Sequence, residues 1–191
     1  HMTSIQLFWL ILGTSWAVIE ILIAFKTRVK LTAIGQLEYR SERLIWLVVA
    51  IALCSALWIK QMHWASLPIE IFYRQLIAII LFITGFALRC YAVFSLGKFF
   101  STTVMTSDKH ILIENGPYRL VRHPAYTGLF ISFFAAGLAM GDAMALLTLI
   151  SPIAYVLTQR IRIEEQWLID HFGKDYGNYS LRTKKLLPWI Y

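Results

Sequence analysis

Five apolar segments dominate the hydrophobic pattern of this chain, and short polar stretches separate them. They cover residues 5–24, 44–62, 71–96, 125–140 and 143–159. At a rise of about 1.5 Å per residue, helices of this length can cross about 30 Å of hydrocarbon. We therefore predict an all-α integral membrane bundle of about five transmembrane helices, with a kink at Pro152 in the fifth.

The composition agrees with a membrane protein. Hydrophobic residues make up 58% of the chain, charged residues only 15%, and the mean hydropathy is +0.61. A soluble domain is nearer half apolar and a quarter charged. The first apolar segment lacks a basic leader and a small-residue cleavage site, so we expect it to be a retained span. Cys54 and Cys90 lie inside apolar segments and the histidines are scattered, so neither a disulfide framework nor a metal site is predicted.

The loop charges alternate along the chain and predict its topology. Lys and Arg are concentrated after the first, third and fifth segments, whereas the connection between the second and third segments has a single cation and the turn at residues 141–142 has none. The positive-inside rule then places the N-terminus outside and the C-terminus in the cytoplasm. The net charge of +7 reflects this topology, and we expect no nucleic-acid partner.

The polar segments at residues 97–124 and 160–191 should therefore meet at the cytoplasmic ends of the last three spans. We predict one membrane domain over residues 1–191. Residues 1–96 would supply three N-terminal spans, and residues 97–191 would form a catalytic half, with a cytoplasmic loop, a helical hairpin and a C-terminal helix.

Residues 116–128 read GPYRLVRHPAYTG and join a polar loop to an apolar segment. Pro124 fits the first helical position, which makes His123 the N-cap residue and leaves other amides of the first turn to face an anion. His is not a favoured N-cap. It could bind an acid or a proton, or it could be an interfacial His bonded to a nearby carbonyl. Tyr118 and Tyr126 could wall a ligand site or be ordinary interfacial aromatics.

A second charged block, RIRIEE at residues 160–165, follows the fifth segment and should continue its helix as far as a stop at Gly173. Arg160 and Glu164 would share one helix face. Surface ion pairing, worth a few tenths of a kcal/mol, is the alternative interpretation. The chain has no Walker A sequence, no dinucleotide fingerprint and no nucleophile elbow. Cations, an acid pair and aromatics without a dedicated base suit group transfer to an acceptor that is already nucleophilic.

These residues resemble the isoprenylcysteine carboxyl methyltransferase family of integral membrane enzymes, and more distantly the membrane phospholipid N-methyltransferases. The resemblance covers roughly residues 85–189. Its motifs are HILI at 110–113, GPYxxxRHPxYxG at 116–128, RxxxEE at 160–165, FGxxYxxY at 172–179 and LP at 187–188. It implies S-adenosylmethionine as methyl donor, S-adenosylhomocysteine as product, and carboxyl methylation of a prenylcysteine-like or other isoprenoid or lipid acceptor that enters from the bilayer.

The resemblance also implies roles for particular residues. Residues 110–113 would line the adenosine pocket, residues 123–126 would hold the methionine moiety, and Arg160 would orient the acceptor carboxylate. Glu164, with Glu165 as second choice, would meet the donor's ammonium group. Independently of the resemblance, a helix N-terminus beside Arg122 suits the donor's carboxylate. The predicted catalytic residues are Arg160 and Glu164, and the predicted cofactor-binding residues are His110, Ile111, Leu112, Ile113, Tyr118, Arg122, His123, Pro124, Ala125, Tyr126, Glu164 and Glu165.

Three alternatives stay open from the sequence. A phospholipid N-methyltransferase would need a base for its amine acceptor, for which His123 is the candidate. A membrane reductase would use NADPH and would need a cation cluster for the 2′-phosphate. A non-catalytic membrane adaptor would bind no small ligand and would tolerate Glu164→Gln.

Overall fold

A computed structural model of the protein describes residues 3–26, 33–96, 112 and 114–186. Within these residues the secondary structure is helical, apart from isolated bridges that pair Ser66 with Asp142 and Val121 with Lys184. The helices are α1 (Ser4–Lys26), α2 (Ala33–Lys60), α3 (Ile71–Leu96), α4 (Pro124–Met140), α5 (Ala143–Phe172) and α6 (Lys174–Arg182), with a 3₁₀ turn at Gly116–Arg119. The all-α prediction is confirmed.

Each of the five predicted apolar segments lies in a helix. By length and composition α1, α3 and α5 can each cross a membrane, and Leu44–Lys60 of α2 and Pro124–Met140 of α4 are shorter apolar helices. Helix α5 runs through Pro152 and continues past the apolar segment to Phe172, where Gly173 (φ +51°) ends it. The predicted extension of the fifth segment is therefore confirmed, whereas the orientation in the lipid stays a prediction.

Helices α3 and α4 pack with their backbones almost in contact. A Cβ atom added to Gly128 of α4 would lie 2.4 Å from the carbonyl oxygen of Gly85 and 2.6 Å from the amide nitrogen of Arg89. No side chain fits at that distance, so the glycine is required for the close approach. The contact sets Arg89 of α3 directly beside the first turns of α4.

The turn between α4 and α5 is fixed by a capping carboxylate. Asp142 accepts hydrogen bonds from the amides of Ala145 (3.0 Å) and Ala65 (2.8 Å). The bond from the Ala145 amide is the main cause that lowers the pKa of Asp142. The carboxylate thereby caps α5 and holds the connection between α2 and α3 against the hairpin. Helix α5 then buries Leu149, Ile153 and Leu157 in an apolar core shared with α2 and α4.

The C-terminal segment returns to the start of α4. The amide of Arg122 donates to the carbonyl oxygen of Lys184 (2.7 Å), and the amide of His123 donates to that of Lys185 (3.0 Å). The hydroxyl of Thr127 donates to the carbonyl oxygen of Leu186 (2.7 Å). The two polar segments therefore meet, as predicted, at the end of the bundle where α3 ends and α4 begins.

Candidate active site

The start of α4 has the predicted cap, and two of its amides are bonded within the helix. Pro124 is the first helical residue and His123 is the N-cap, with a buried side chain. The amides of Tyr126 and Thr127 both donate to the carbonyl oxygen of His123, each at 3.0 Å. These two amides are therefore not available to an anion, because the carbonyl of the cap residue already accepts their hydrogen bonds. An anion at the amide of Ala125 stays a prediction.

Tyr126 joins the two predicted catalytic residues. Its hydroxyl donates to Oε2 of Glu164 (3.0 Å) and accepts a longer hydrogen bond from Nε of Arg160 (3.4 Å). Arg160 is buried, with 5% of its surface exposed, so the surface ion-pair interpretation does not describe it. The phenol, the guanidinium and the carboxylate form one cluster between α4 and α5.

Glu165 lies on a different side of α5 and faces the C-terminal segment. Its carboxylate contacts Nε of Arg122 (2.9 Å) and Nζ of Lys185 (3.0 Å), and it accepts from the hydroxyl of Tyr176 (3.3 Å). Burial opposes its ionisation, but hydrogen bonds from His123, Lys185 and Arg122 outweigh that effect, so the pKa of Glu165 lies well below its ordinary value. Glu165 is therefore bound within the protein on several sides.

Arg122 shares that environment. Besides Glu165, its guanidinium donates to the carbonyl oxygens of Ser180 (2.9 Å) and Thr183. These bonds hold the end of α6 and the segment that follows it. His123 sits between the two carboxylates, with Nε2 3.4 Å from Glu165 and Nδ1 3.9 Å from Glu164.

A pocket of about 90 Å³ opens beside the Tyr126 cluster. Helices α1 to α5 all contribute to its wall, which combines charged groups with apolar side chains. Its lining residues are Glu20, Ile23, Ala24, Ile45, Trp46, Arg89, His123, Ala125, Tyr126, Leu129, Leu157, Arg160 and Glu164. The structure thus brings His123, Ala125, Tyr126, Arg160 and Glu164 together at one cavity.

Other predicted residues lie elsewhere. Tyr118 packs in a small apolar cluster with Ala92 and Ala125, where its hydroxyl donates to the carbonyl oxygen of Ala92 (3.3 Å). Burial raises the pKa of Tyr118 well above its ordinary value. Tyr118, Pro124, Arg122, Glu165 and Leu112 are not among the residues that line the pocket. The predicted adenosine-pocket residues His110, Ile111 and Ile113 lie outside the described residues.

Sequence reasoning missed two charged residues of the pocket. Arg89 of α3 forms a two-pronged ion pair with Glu20 of α1, with both nitrogen–oxygen distances at 2.9 Å. A signal for them was available, because an acid and a base inside apolar segments need partners in a membrane. The sequence did not reveal that these two, 69 residues apart, would be the partners. Among the described residues no group of three or more His, Cys, Asp or Glu could hold a metal ion.

The fold and the site together define a helical membrane protein with a pocket at one end of its bundle, and more than half of the lining residues come from the start of α4 and from α5. The same part of the chain matches a family model. Residues 78–170 match the model of the isoprenylcysteine carboxyl methyltransferase (ICMT) family. The resemblance drawn from the motifs is therefore confirmed for this segment, which is just under half of the chain.

Curated relatives show the same resemblance. A rice protein (Oryza sativa subsp. indica) named "Probable protein-S-isoprenylcysteine O-methyltransferase" is 31% identical over 129 residues, which are 63% of this chain and 64% of the rice protein. The human "Protein-S-isoprenylcysteine O-methyltransferase" is 30% identical over 140 residues, which are 69% of this chain and 47% of the human protein. The match thus spans between about half and just under two thirds of these relatives.

A solved structure has the same fold. It is described as the eukaryotic intramembrane Ras methyltransferase ICMT, and it aligns with a TM-score of 0.57 at 24% sequence identity. The alignment covers 80% of this chain and 52% of that one. This likeness confirms the membrane helical fold of the chain.

Proposed function

We propose that this protein is an integral membrane methyltransferase that uses S-adenosylmethionine to methylate the carboxylate of a prenylcysteine-like or other isoprenoid lipid acceptor. The observation that carries the proposal is the Tyr126 hydroxyl, which joins Arg160 and Glu164 in a buried pocket. The match of residues 78–170 to the family model and the names of the relatives support it.

The charged groups of the pocket suit the donor. S-adenosylmethionine presents an ammonium, a sulfonium and a carboxylate, so its site needs negatively and positively charged side chains close together. Glu164 is the better acid for the ammonium, because its side chain is 31% exposed at the pocket, whereas that of Glu165 is 12% exposed and held by Arg122 and Lys185. We assign Glu165 and Arg122 to holding the C-terminal segment against the site.

The chemistry requires no base for a carboxylate acceptor. The donor supplies an activated methyl group: an acceptor oxygen forms the new bond to carbon, the sulfur–carbon bond breaks, and a methyl ester and a neutral thioether result. The protein must align the two partners and exclude water, and positioning of this kind supplies about 7–11 kcal/mol. Arg160 orients the acceptor through its charge, while Trp46, Leu129 and Leu157 give the pocket apolar walls.

The N-methyltransferase alternative is less well supported by the geometry. An amine acceptor must lose a proton, and both ring nitrogens of His123 point at carboxylates of the protein itself. The reductase alternative needs a cation cluster, whereas Arg89 in this pocket is already paired with Glu20. By the predicted topology the site faces the cytoplasm, so the donor enters from the cytoplasm and the acceptor from the bilayer.

The test is a binding and product assay on the purified protein in lipid nanodiscs. We expect saturable binding of labelled S-adenosylmethionine and methyl transfer to a prenylcysteine. Glu164→Gln should abolish most of the transfer, whereas the matched control Glu70→Gln, at an exposed carboxylate outside the pocket, should retain it. Transfer to phosphatidylethanolamine, turnover of NADPH, or no ligand binding would each contradict the proposal in favour of one named alternative.

A further inference from the structure

The ion pair between Glu20 and Arg89 brings the first helix of the chain into the pocket. Both side chains are almost fully buried, at 4% and 7% exposure, and they meet through two parallel hydrogen bonds. Arg89 also donates from Nη1 to the carbonyl oxygen of Ala125 (3.4 Å), in the first turn of α4 and next to Tyr126. The pair thus touches the segment that carries the Tyr126 cluster.

Packing of α1 does not explain why this position is charged. Among the described side chains of α1, Glu20 is the only buried one, and most of the exposed ones are apolar. A buried ion pair stabilises a protein no better than apolar side chains of similar volume, because the desolvation of both charges offsets their attraction. Charges in a membrane interior accordingly mark functional positions.

The charges of the pair are part of a set that makes the pocket electrically neutral. Besides His123, the charged residues that line it are two carboxylates, Glu20 and Glu164, and two guanidinium groups, Arg89 and Arg160. These four charges sum to zero. The loss of either member of the pair would leave one uncompensated charge in a poorly solvated cavity, where its field is felt strongly.

We propose that Glu20 and Arg89 are positioning residues that set the electrostatic balance of the pocket, and so its preference between the cationic methyl donor and the neutral product. This rests on the proposed function. S-adenosylmethionine carries a net charge of +1 and S-adenosylhomocysteine carries none, although the two molecules differ by a single methyl group. The negative charge of Glu20 favours binding of the cationic donor, and the positive charge of Arg89 disfavours it. Because the two charges cancel, the pocket prefers neither ligand strongly, and the product can be replaced by a new donor.

The experiment measures the affinities of both ligands for single and double variants in nanodiscs by calorimetry. Glu20→Gln leaves a pocket charge of +1 and should lower the affinity ratio of donor to product. Arg89→Gln leaves −1 and should raise that ratio. Each change should be about ten- to thirtyfold, the effect of one unit charge at about 8–12 Å and an effective dielectric constant of about 20.

A double variant supplies the matched control. Glu20→Leu combined with Arg89→Met restores neutrality with apolar side chains and should return the ratio to within about twofold of its unmutated value. A purely structural role would weaken both ligands equally and leave the ratio unchanged in every variant, which would overturn the inference. The expected direction of change in the affinity ratio is stated for each single variant. If one variant does not fold, the measurement on the other therefore still tests the inference.

Failure of the proposed function would look different. The unmutated protein would then bind neither ligand, whereas failure of the inference leaves both ligands bound with an unaltered ratio. A ratio that moved in the same direction in both single variants would also refute the charge mechanism.

Discussion

Changing the adjacent acids Glu164 and Glu165 to Gln, one at a time, should impair two different properties of the protein: ligand binding for Glu164 and stability for Glu165. Glu165 is held by Arg122 at 2.9 Å and by Lys185 at 3.0 Å, and its side chain is only 12% exposed. Breaking a buried pair by removing one partner costs about 3–5 kcal/mol. Since Gln keeps one acceptor oxygen, we expect about 3 kcal/mol for Glu165→Gln, which lowers the melting temperature by about 6–12 °C in a chain of this size.

Glu164→Gln should instead impair ligand binding. Its side chain is 31% exposed, and the hydrogen bond from Tyr126 survives with the Gln carbonyl as acceptor. We therefore expect a loss of stability of about 1 kcal/mol or less. A charge-assisted bond to the donor's ammonium contributes about 1.5–3 kcal/mol, so the affinity for S-adenosylhomocysteine should fall by about ten- to a hundredfold.

Thermal unfolding and calorimetric titration in the same nanodisc preparation separate the two effects. Glu70→Gln, at an exposed site away from the pocket, is the control for both measurements. A loss of ligand affinity in Glu165→Gln at an unchanged melting temperature, or a lowered melting temperature in Glu164→Gln with its affinity intact, would contradict these roles.

Three further outcomes can be checked. Tyr126→Phe removes the hydroxyl between the guanidinium and the carboxylate, so the rate of methyl transfer should fall about tenfold or more. The control Tyr155→Phe, at an exposed position of α5, should leave the rate unchanged. Equal rates in the two variants would contradict the role of the Tyr126 hydroxyl. Gly128→Ala should separate α3 from α4 and lower the yield of folded protein measured by gel filtration, because its Cβ would lie 2.4 Å from the oxygen of Gly85. An unchanged yield would contradict the requirement for glycine at this contact. The pKa of Glu165 in the folded protein lies below its ordinary 4.5, so the stabilisation of the fold by this carboxylate is complete above that pH and is lost as the pH falls. Between pH 6 and 3 the melting temperature should therefore drop less in Glu165→Gln than in the unmutated protein. Parallel curves of melting temperature against pH would exclude this contribution.

Much of the fold could be read from the sequence. Hydrophobicity located the five apolar segments, since a chain in lipid must satisfy its backbone hydrogen bonds internally and forms helices there. The cap at His123 and Pro124 and the stop at Gly173 followed from local backbone chemistry. The residues of the candidate site were chosen from three motifs, and five of them line one pocket.

Other features depended on contacts between distant parts of the chain. Successive residues of a helix are about 100° apart around its axis, so neighbouring acids at 164 and 165 point in different directions, and only the position of the neighbouring elements decides which one faces the pocket. Likewise Arg122, a plausible anion ligand in the sequence, is bound by Glu165 and by the carbonyl oxygens of the last turn of α6 and the residue after it.

The sequence by itself determined the helices, the membrane class and the resemblance to the family, because these depend on local hydrophobicity and short motifs. The tertiary structure alone decided that Glu20 pairs with Arg89, that Tyr126 joins Arg160 to Glu164, and that the C-terminal segment closes over the start of α4. Those pairings depend on how helices pack in three dimensions, and hydropathy along one chain carries no information about which polar groups will meet.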